Sequence, residues 1–207
     1  MTVKLRHVAM GITGASGAVY SLRLLGELLA AGIRVSLVIS SAGRLVLREE
    51  QGLDLPADPE EQRRILGELI GSAAERLTCH GEKDFHAPMA SGSSPPDAMV
   101  ICPCSMGTLG RIAAGLSSNL MERGADVMIK ESRLLVLVPR ETPLSTIHLE
   151  NMLKLARLGV KMVPPMPGFY GAPRSVDDLV KFVVGRVLDQ LGVEHSLYVR
   201  WGNRSAS

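Results

Sequence analysis

The sequence predicts an α/β fold: a doubly wound parallel sheet in a three-layer sandwich, Rossmann-like or flavodoxin-like in plan. Three observations predict it. Short apolar runs alternate with longer segments carrying leucine and valine at helical spacing, the pattern of successive β-α-β units. The first run, 8–10, passes through a turn holding Gly11, Gly14 and Gly17 into a helical segment at 18–31, where Leu22, Leu24, Leu25, Leu28 and Leu29 recur. Prolines, glycines and isolated charged residues collect behind the apolar runs, at the strand ends where such sheets bind ligands.

The glycine turn is the first candidate site. Glycines let backbone approach a ligand, and the helix that follows aims its free N–H groups and positive dipole end at an anion. Ser16 falls at the natural N-cap, where its hydroxyl can also meet a phosphate oxygen. The spacing is G-x-x-G-x-x-G, not the dinucleotide G-x-G-x-x-G. The second strand, 34–39, ends in Ser40-Ser41 and lacks the acid that a dinucleotide ribose requires roughly 20 residues past the glycines. The turn therefore suits a phosphate without an adenosine ribose, as in flavin mononucleotide (FMN).

Further along, 42–51 and 60–77 read as amphipathic helices. The stretch 78–96, with His80, His86, Pro88 and a Ser/Gly/Pro run, reads as an irregular loop. A third strand at 98–102 enters Pro103-Cys-Ser-Met-Gly-Thr and a helix through Leu116, a second strand–turn–helix anion site. Ser105 and Thr108 there have capping-box spacing without the acid. A helix at 119–132, a fourth strand at 134–138, a helix started by Pro143, a fifth strand at 160–163 and a proline-rich shaped loop at 164–173 follow. Ser175 caps a last helix reaching Leu191, with Asp177 and Asp178 at its positive end.

At 207 residues and 46% hydrophobic content, one domain over 1–207 is expected, with a tail at about 194–207 packed on a neighbouring subunit. No run of about 18 apolar residues offers a membrane span, and the first residues run directly into a strand, unlike a signal peptide. Cys79, Cys102 and Cys104, without C-x-x-C spacing, argue against a disulfide framework or structural zinc and for a reducing cytoplasm. The net charge of +2 is dispersed, without the basic tract or aromatic platform of a nucleic-acid binder.

Arg123, Lys130, Arg140 and Arg186 are candidates for holding a mobile phosphate, since an arginine fork grips phosphate oxygens in pairs and lysine supplies a point charge. Arg140 stands out because it follows a buried strand directly. Glu141, expected to be buried at the same strand end, and Glu50, beside Glu49, are candidates for proton transfer. Cys102 and Cys104 read either as a nucleophile pair or as a small hydrophobe within the strand, Cys102, followed by a turn-lining residue, Cys104. Cys79, His80 and His86 lack a regularly spaced fourth metal ligand. Tyr170 and Trp201 either face an apolar or cationic ligand or anchor the loop and tail.

Five ordered stretches carry a specific resemblance: Gly11-Ile-Thr-Gly-Ala-Ser-Gly-Ala, Pro103-Cys-Ser-Met-Gly-Thr-Leu, Arg123-Gly-Ala-Asp-Val, Val138-Pro-Arg-Glu-Thr-Pro-Leu and Pro164-Pro-Met-Pro-Gly-Phe-Tyr. Together they resemble the UbiX-type flavin prenyltransferases across nearly the whole chain, to the terminal Arg200-Trp201. That family joins the dimethylallyl group of dimethylallyl phosphate to N5 and C6 of reduced FMN, giving prenylated FMN for UbiD-type decarboxylases. The resemblance implies FMN contacts at Gly14, Ala15, Ser16, Ser40, Ser105, Met106, Gly107, Thr108 and Arg140. It implies dimethylallyl-phosphate contacts at Tyr170, Arg186, Lys130 and Arg123, with Glu50, Glu141, Ser16, Lys130 and Trp201 at the reacting centre. Glu50 is then the base, Glu141 and Ser16 pass protons to the departing phosphate, and Trp201 faces an allylic cation. It also implies a homo-oligomer, a dodecamer, and chemistry without a metal. The alternatives are a flavin-dependent cysteine decarboxylase of the same superfamily and a non-catalytic flavin-binding subunit. The former usually has Pro-Ala-Ser-Ala-Asn-Thr at 103–108 and lacks the Pro-Arg-Glu-Thr-Pro run.

Overall fold

A computed structural model describes residues 5–202. The first four residues and 203–207, the end of the expected tail, lie outside the described residues. The elements are β1 (His7–Ile12), α1 (Ala18–Ala30), β2 (Arg34–Ile39), α2 (Ser41–Gln51), α3 (Pro59–Ile70), β3 (Leu77–His80), β4 (Ala98–Cys104), α4 (Met106–Ala113), α5 (Leu120–Lys130), β5 (Leu134–Pro139), α6 (Thr146–Arg157), β6 (Lys161–Met162) and α7 (Val176–Leu191). The strands form one parallel sheet in the order β3-β2-β1-β4-β5-β6. The order reverses between β1 and β4, the point where a doubly wound sheet opens a crevice at its carboxyl edge.

Alternation along the strands builds the two outer layers. Val8, Met10 and Ile12 join α1 and α7 in one core, whereas Ala9, Met99 and Ile101 join α4 and α5 in the other. Leu24, Leu25, Leu28 and Leu29 of α1 are fully buried, each such burial stabilising by about 1.5–3 kcal/mol relative to exposure. Two glycines fix the crevice. A Cβ on Gly43 would lie 2.7 Å from the Ile12 carbonyl oxygen, so only glycine lets α2 start this close to the end of β1. Gly17, at φ 112°, turns the chain into α1 in a conformation that disfavours other residues.

The structure corrects the expected elements in five places. The helix expected to reach Leu77 stops at Ile70 and gives way to a 3-10 turn. Residues 78–80, expected as loop, join Leu77 in an edge strand parallel to β2. Cys104 ends β4 rather than lining a turn. A register shift between Ile101 and Cys104 moves Cys104 to the α4 and α5 side while Cys102 faces the other core. The helix expected at Pro143 begins at Thr146, because Ser145 and His148 form a reciprocal capping box there. Finally, Ser16 is not the N-cap of α1: Gly17 is, and no side chain of its own caps that helix.

Candidate active site at the carboxyl edge

Two of the amides at the start of α1 are already occupied. Glu50, near the end of α2, reaches across so that its Oε2 accepts from Gly17 N at 2.9 Å and Ala18 N at 2.8 Å. A carboxylate thus sits where the sequence reading puts a phosphate, because α2 ends beside the start of α1. Burial alone would raise the Glu50 carboxyl, but the Ser16 hydroxyl, these two amides and nearby Arg140 outweigh it and hold it below the usual carboxylate range. Arg140 Nε donates to Ser16 O at 3.3 Å. Ser16, Glu50 and Arg140, from three elements, form one cluster. Glu141 beside it is exposed, not buried, and accepts from Thr142 N at 3.0 Å.

A cavity of about 310 Å³ opens beside this cluster, lined by Gly14, Ser40, Ser41, Ala42, Glu82, Ser105, Thr108, Arg111, Asn119 and Met121. Ser105 caps α4, its hydroxyl accepting from Thr108 N at 3.3 Å. Met106 and Gly107 occupy the first two helical positions, whose amides precede the helix's own hydrogen-bond ladder. Ser40 caps α2 by accepting from Gly43 N at 3.0 Å. Buried Thr13 joins the two halves: its hydroxyl donates to Pro103 O at 2.8 Å and accepts from Ser105 N at 2.7 Å. Glu82 closes another wall, accepting from Ser41 N at 2.7 Å and lying 3.8 Å from Arg44. Thr13, Glu82, Arg111 and Asn119 escaped the sequence reading. Only a fold brings 13, 82, 105 and 111 together, although Asn119 has an N-cap residue's identity at a helix start.

The donors present fit FMN. Hydroxyls of Ser40 and Thr108, amides at two helix starts and the Arg111 guanidinium converge on a space the size of a phosphate and its sugar alcohol. Gly14 belongs to that fit: a Cβ there would fall 2.5 Å from that of Ala42. Ala15 and Met106 are buried, so only their backbones can face a ligand.

The remaining expected residues fall in two places. Tyr170 and Trp201 pack edge-to-face with centroids 5.1 Å apart, and Tyr170 also meets Phe182 at 5.6 Å. Tyr198 lies 5.0 Å from Phe182 and accepts from Arg186 at 3.2 Å. Asp189 gathers Arg186, Tyr198, His195 and Arg200 and so ties the tail to α7. Despite its burial, those donors draw the Asp189 carboxyl down to about 2. Arg123 and Lys130, the other two candidates for holding the mobile phosphate, lie elsewhere, on α5. Arg123 donates to Ala90 O and Asp126, and Lys130 pairs with Glu131 at the end of α5, which leads into the amino end of β5. Neither lines the cavity.

Cys102 and Cys104 are core thiols. Both are buried, and burial pushes the Cys102 thiol up and Cys104 up to about 12, which leaves neither a nucleophile at neutral pH. Among the described residues, no group of three or more His, Cys, Asp or Glu could hold a metal ion. No described helix is long and apolar enough to cross a membrane.

A parallel sheet with donors and an ionised carboxylate at its switch point defines a mononucleotide-binding α/β protein, and the Flavoprotein family model matches residues 2–188. The chain is 52% identical over 202 residues to the flavin prenyltransferase UbiX of Halalkalibacterium halodurans, covering 98% of this chain and 96% of that one. A dodecameric FMN-dependent UbiX-like decarboxylase from Escherichia coli O157:H7 superposes with a TM-score of 0.84 at 44% identity, covering 95% of this chain and 100% of that chain. A UbiX protein solved with FMN and dimethylallyl pyrophosphate, AnUbiX (PadA1), does so with a TM-score of 0.84 at 37% identity, covering 97% and 99% of the two chains. The chain belongs to the UbiX family of flavin prenyltransferases.

Proposed function

We propose that this chain joins the dimethylallyl group of dimethylallyl phosphate to reduced FMN without a metal, working in the cytoplasm as a homo-oligomer, a dodecamer like its E. coli relative. Prenylated FMN then passes to a UbiD-type decarboxylase. The observation that carries the reading is the Ser16–Glu50–Arg140 cluster beside a phosphate-sized cavity, in a chain 52% identical to a flavin prenyltransferase. Bound FMN supplies the nucleophilic N5 and C6 atoms.

The residues divide the work by position. Ser40, Ser105, Thr108 and the amides of Met106 and Gly107 hold the flavin phosphate, and Gly14, Ala15 and Ser16 pass their backbone along the flavin. Arg140, anchored on Ser16 O, orients it. Glu50 is the base that accepts a proton from the flavin; held below the usual carboxylate range, it is ionised and able to take one at neutral pH. Tyr170 and Trp201 present aromatic faces that shield an allylic cation from water. Arg186 binds the leaving phosphate, and the proton that Glu50 takes from the flavin passes to it through Ser16 and Glu141, so the proton lost by the flavin is the one the phosphate gains.

Lys130 and Arg123 complete the phosphate clamp from a neighbouring copy, since within one chain Arg123 is engaged by Ala90 O and Asp126 and Lys130 stands at the end of α5, away from the carboxyl edge. Exposed Ile147, Leu149, Leu153, Phe169 and Trp201 supply apolar surface for that association. Fixed cations that tighten on the phosphate as it leaves take the place of a divalent ion. Anaerobic incubation with reduced FMN and dimethylallyl phosphate, in excess chelator, tests the reading: equal amounts of free phosphate and of a flavin heavier by the dimethylallyl group are expected. Strict dependence on added magnesium, or carbon dioxide released from an aromatic acid by this chain alone, would overturn it.

A further inference from the structure

Arg111 and Glu122 lie eleven positions apart on two helices; Glu122 is not part of the cavity lining, and Arg111, which is, has no role assigned to it above. Glu122 is buried at 1% exposure. Its carboxylate accepts from Arg111 Nε, from Ser118 N at 2.8 Å and from Asn119 Nδ2 at 2.9 Å. A buried carboxylate is costly unless fully hydrogen-bonded, so this set fixes where Arg111 points. Arg111 Nη2 then donates to Thr108 Oγ1 at 3.2 Å, and Arg111 lines the 310 Å³ cavity.

Two consequences follow from counting donors. Engaging Glu122 through Nε leaves both Nη1 hydrogens and one Nη2 hydrogen for the cavity. Thr108 Oγ1 accepts from Arg111 and also from Ser105 Oγ at 3.0 Å, so its own proton is left to donate outward. The pair therefore orients two donors at once toward the place where α4 begins. Glu82, on the opposite wall, is already engaged by Ser41 N and Arg44.

Resting on the reading of the site as an FMN site, we propose that Arg111, positioned by Glu122, grips the terminal phosphate of the flavin and sets the preference for FMN over riboflavin. Arginine suits this role because its fork serves Glu122 and a ligand together, which a lysine ammonium cannot do in the same geometry.

The test is titration of oxidised FMN and of riboflavin, which differ only in the phosphate, into the full-length protein by flavin fluorescence. Wild type should favour FMN. Arg111→Lys, and the double change Arg111→Ala with Glu122→Gln, should each cut that preference about 10- to 100-fold, the scale of one charge-assisted contact. The loss should fall on FMN, with riboflavin affinity unchanged within about twofold, a split that a merely structural role does not produce. The double variant leaves no unpaired buried charge, so misfolding of Arg111→Ala alone does not blunt the test. An unchanged preference in both variants, or equal loss for both ligands, overturns the proposal while leaving the FMN reading standing. A wild-type protein that binds neither flavin overturns that reading itself.

Discussion

At the scale of single residues, Glu50 is the most heavily committed side chain of the site. Its charge serves two amides and is held below the ordinary carboxyl range by them, Ser16 and Arg140 against the opposing effect of burial. Glu50→Gln keeps the shape and loses the carboxylate that we propose as the base. We expect prenyl transfer to fall on the order of 10²-fold or more, with FMN affinity changed only a few-fold, read by single-turnover product mass alongside a flavin titration. Asp189 gives a pH prediction. Its folded value near 2 lies below the ordinary 3.8, so its contribution to stability is full above 3.8 and is lost as pH falls from 3.8 through about 2. Because Asp189 holds Tyr198 and Arg200, the tail should detach over that window. The chain's single tryptophan, Trp201, reports it: fluorescence anisotropy should drop on acidification, and Asp189→Asn should show the lower value already at neutral pH.

At the scale of elements, the crevice depends on contacts between loops rather than on any one of them. Thr13 links the turn after β1 to the turn after β4 through two hydrogen bonds at 2% exposure. Thr13→Val leaves Pro103 O and Ser105 N without that partner. It should cost about 1–3 kcal/mol in a denaturant melt and weaken FMN binding by misplacing Ser105. How far the sequence was legible also divides by element. Ser105 and Ser175 were readable as helix caps because capping is local, a hydroxyl serving an amide three residues on. Ser16 misled because the true cap arrives from 33 residues away. The edge strand 77–80 was missed because it is four residues long and follows a 3-10 turn, too short for alternation to declare itself. Residue type alone makes Glu50, Arg186 and Trp201 candidates; only the family resemblance places them in the site, since no local pattern distinguishes them from surface residues.

At the scale of the whole molecule, the single chain is an incomplete enzyme on our reading. Lys130 sits where α5 hands over to the amino end of β5, whereas Glu50 and Arg140 stand at the carboxyl edge. Lys130→Ala should slow phosphate release about a hundredfold, roughly 3 kcal/mol of transition-state stabilisation, while FMN stays bound. If one site draws on two copies, oligomers reassembled from Lys130→Ala and Glu50→Gln chains should regain part of the wild-type rate, because some sites then receive both intact side chains. Equal inactivity of the mixture and the two parents, in oligomers shown by mass to be mixed, would place Lys130 outside the shared site. The seat of Glu50 on Gly17 and Ala18 also bears on how such a protein ages under mutation. Active-site charges are commonly kept at the expense of stability, so losing them often makes a protein sturdier. Here the carboxylate proposed as the base is also the stopper of the first helix, whose open amides favour an anion. A lineage that drifted away from the reaction would have no thermal incentive to discard it, and relics of the activity should keep an acid at this position long after turnover is gone.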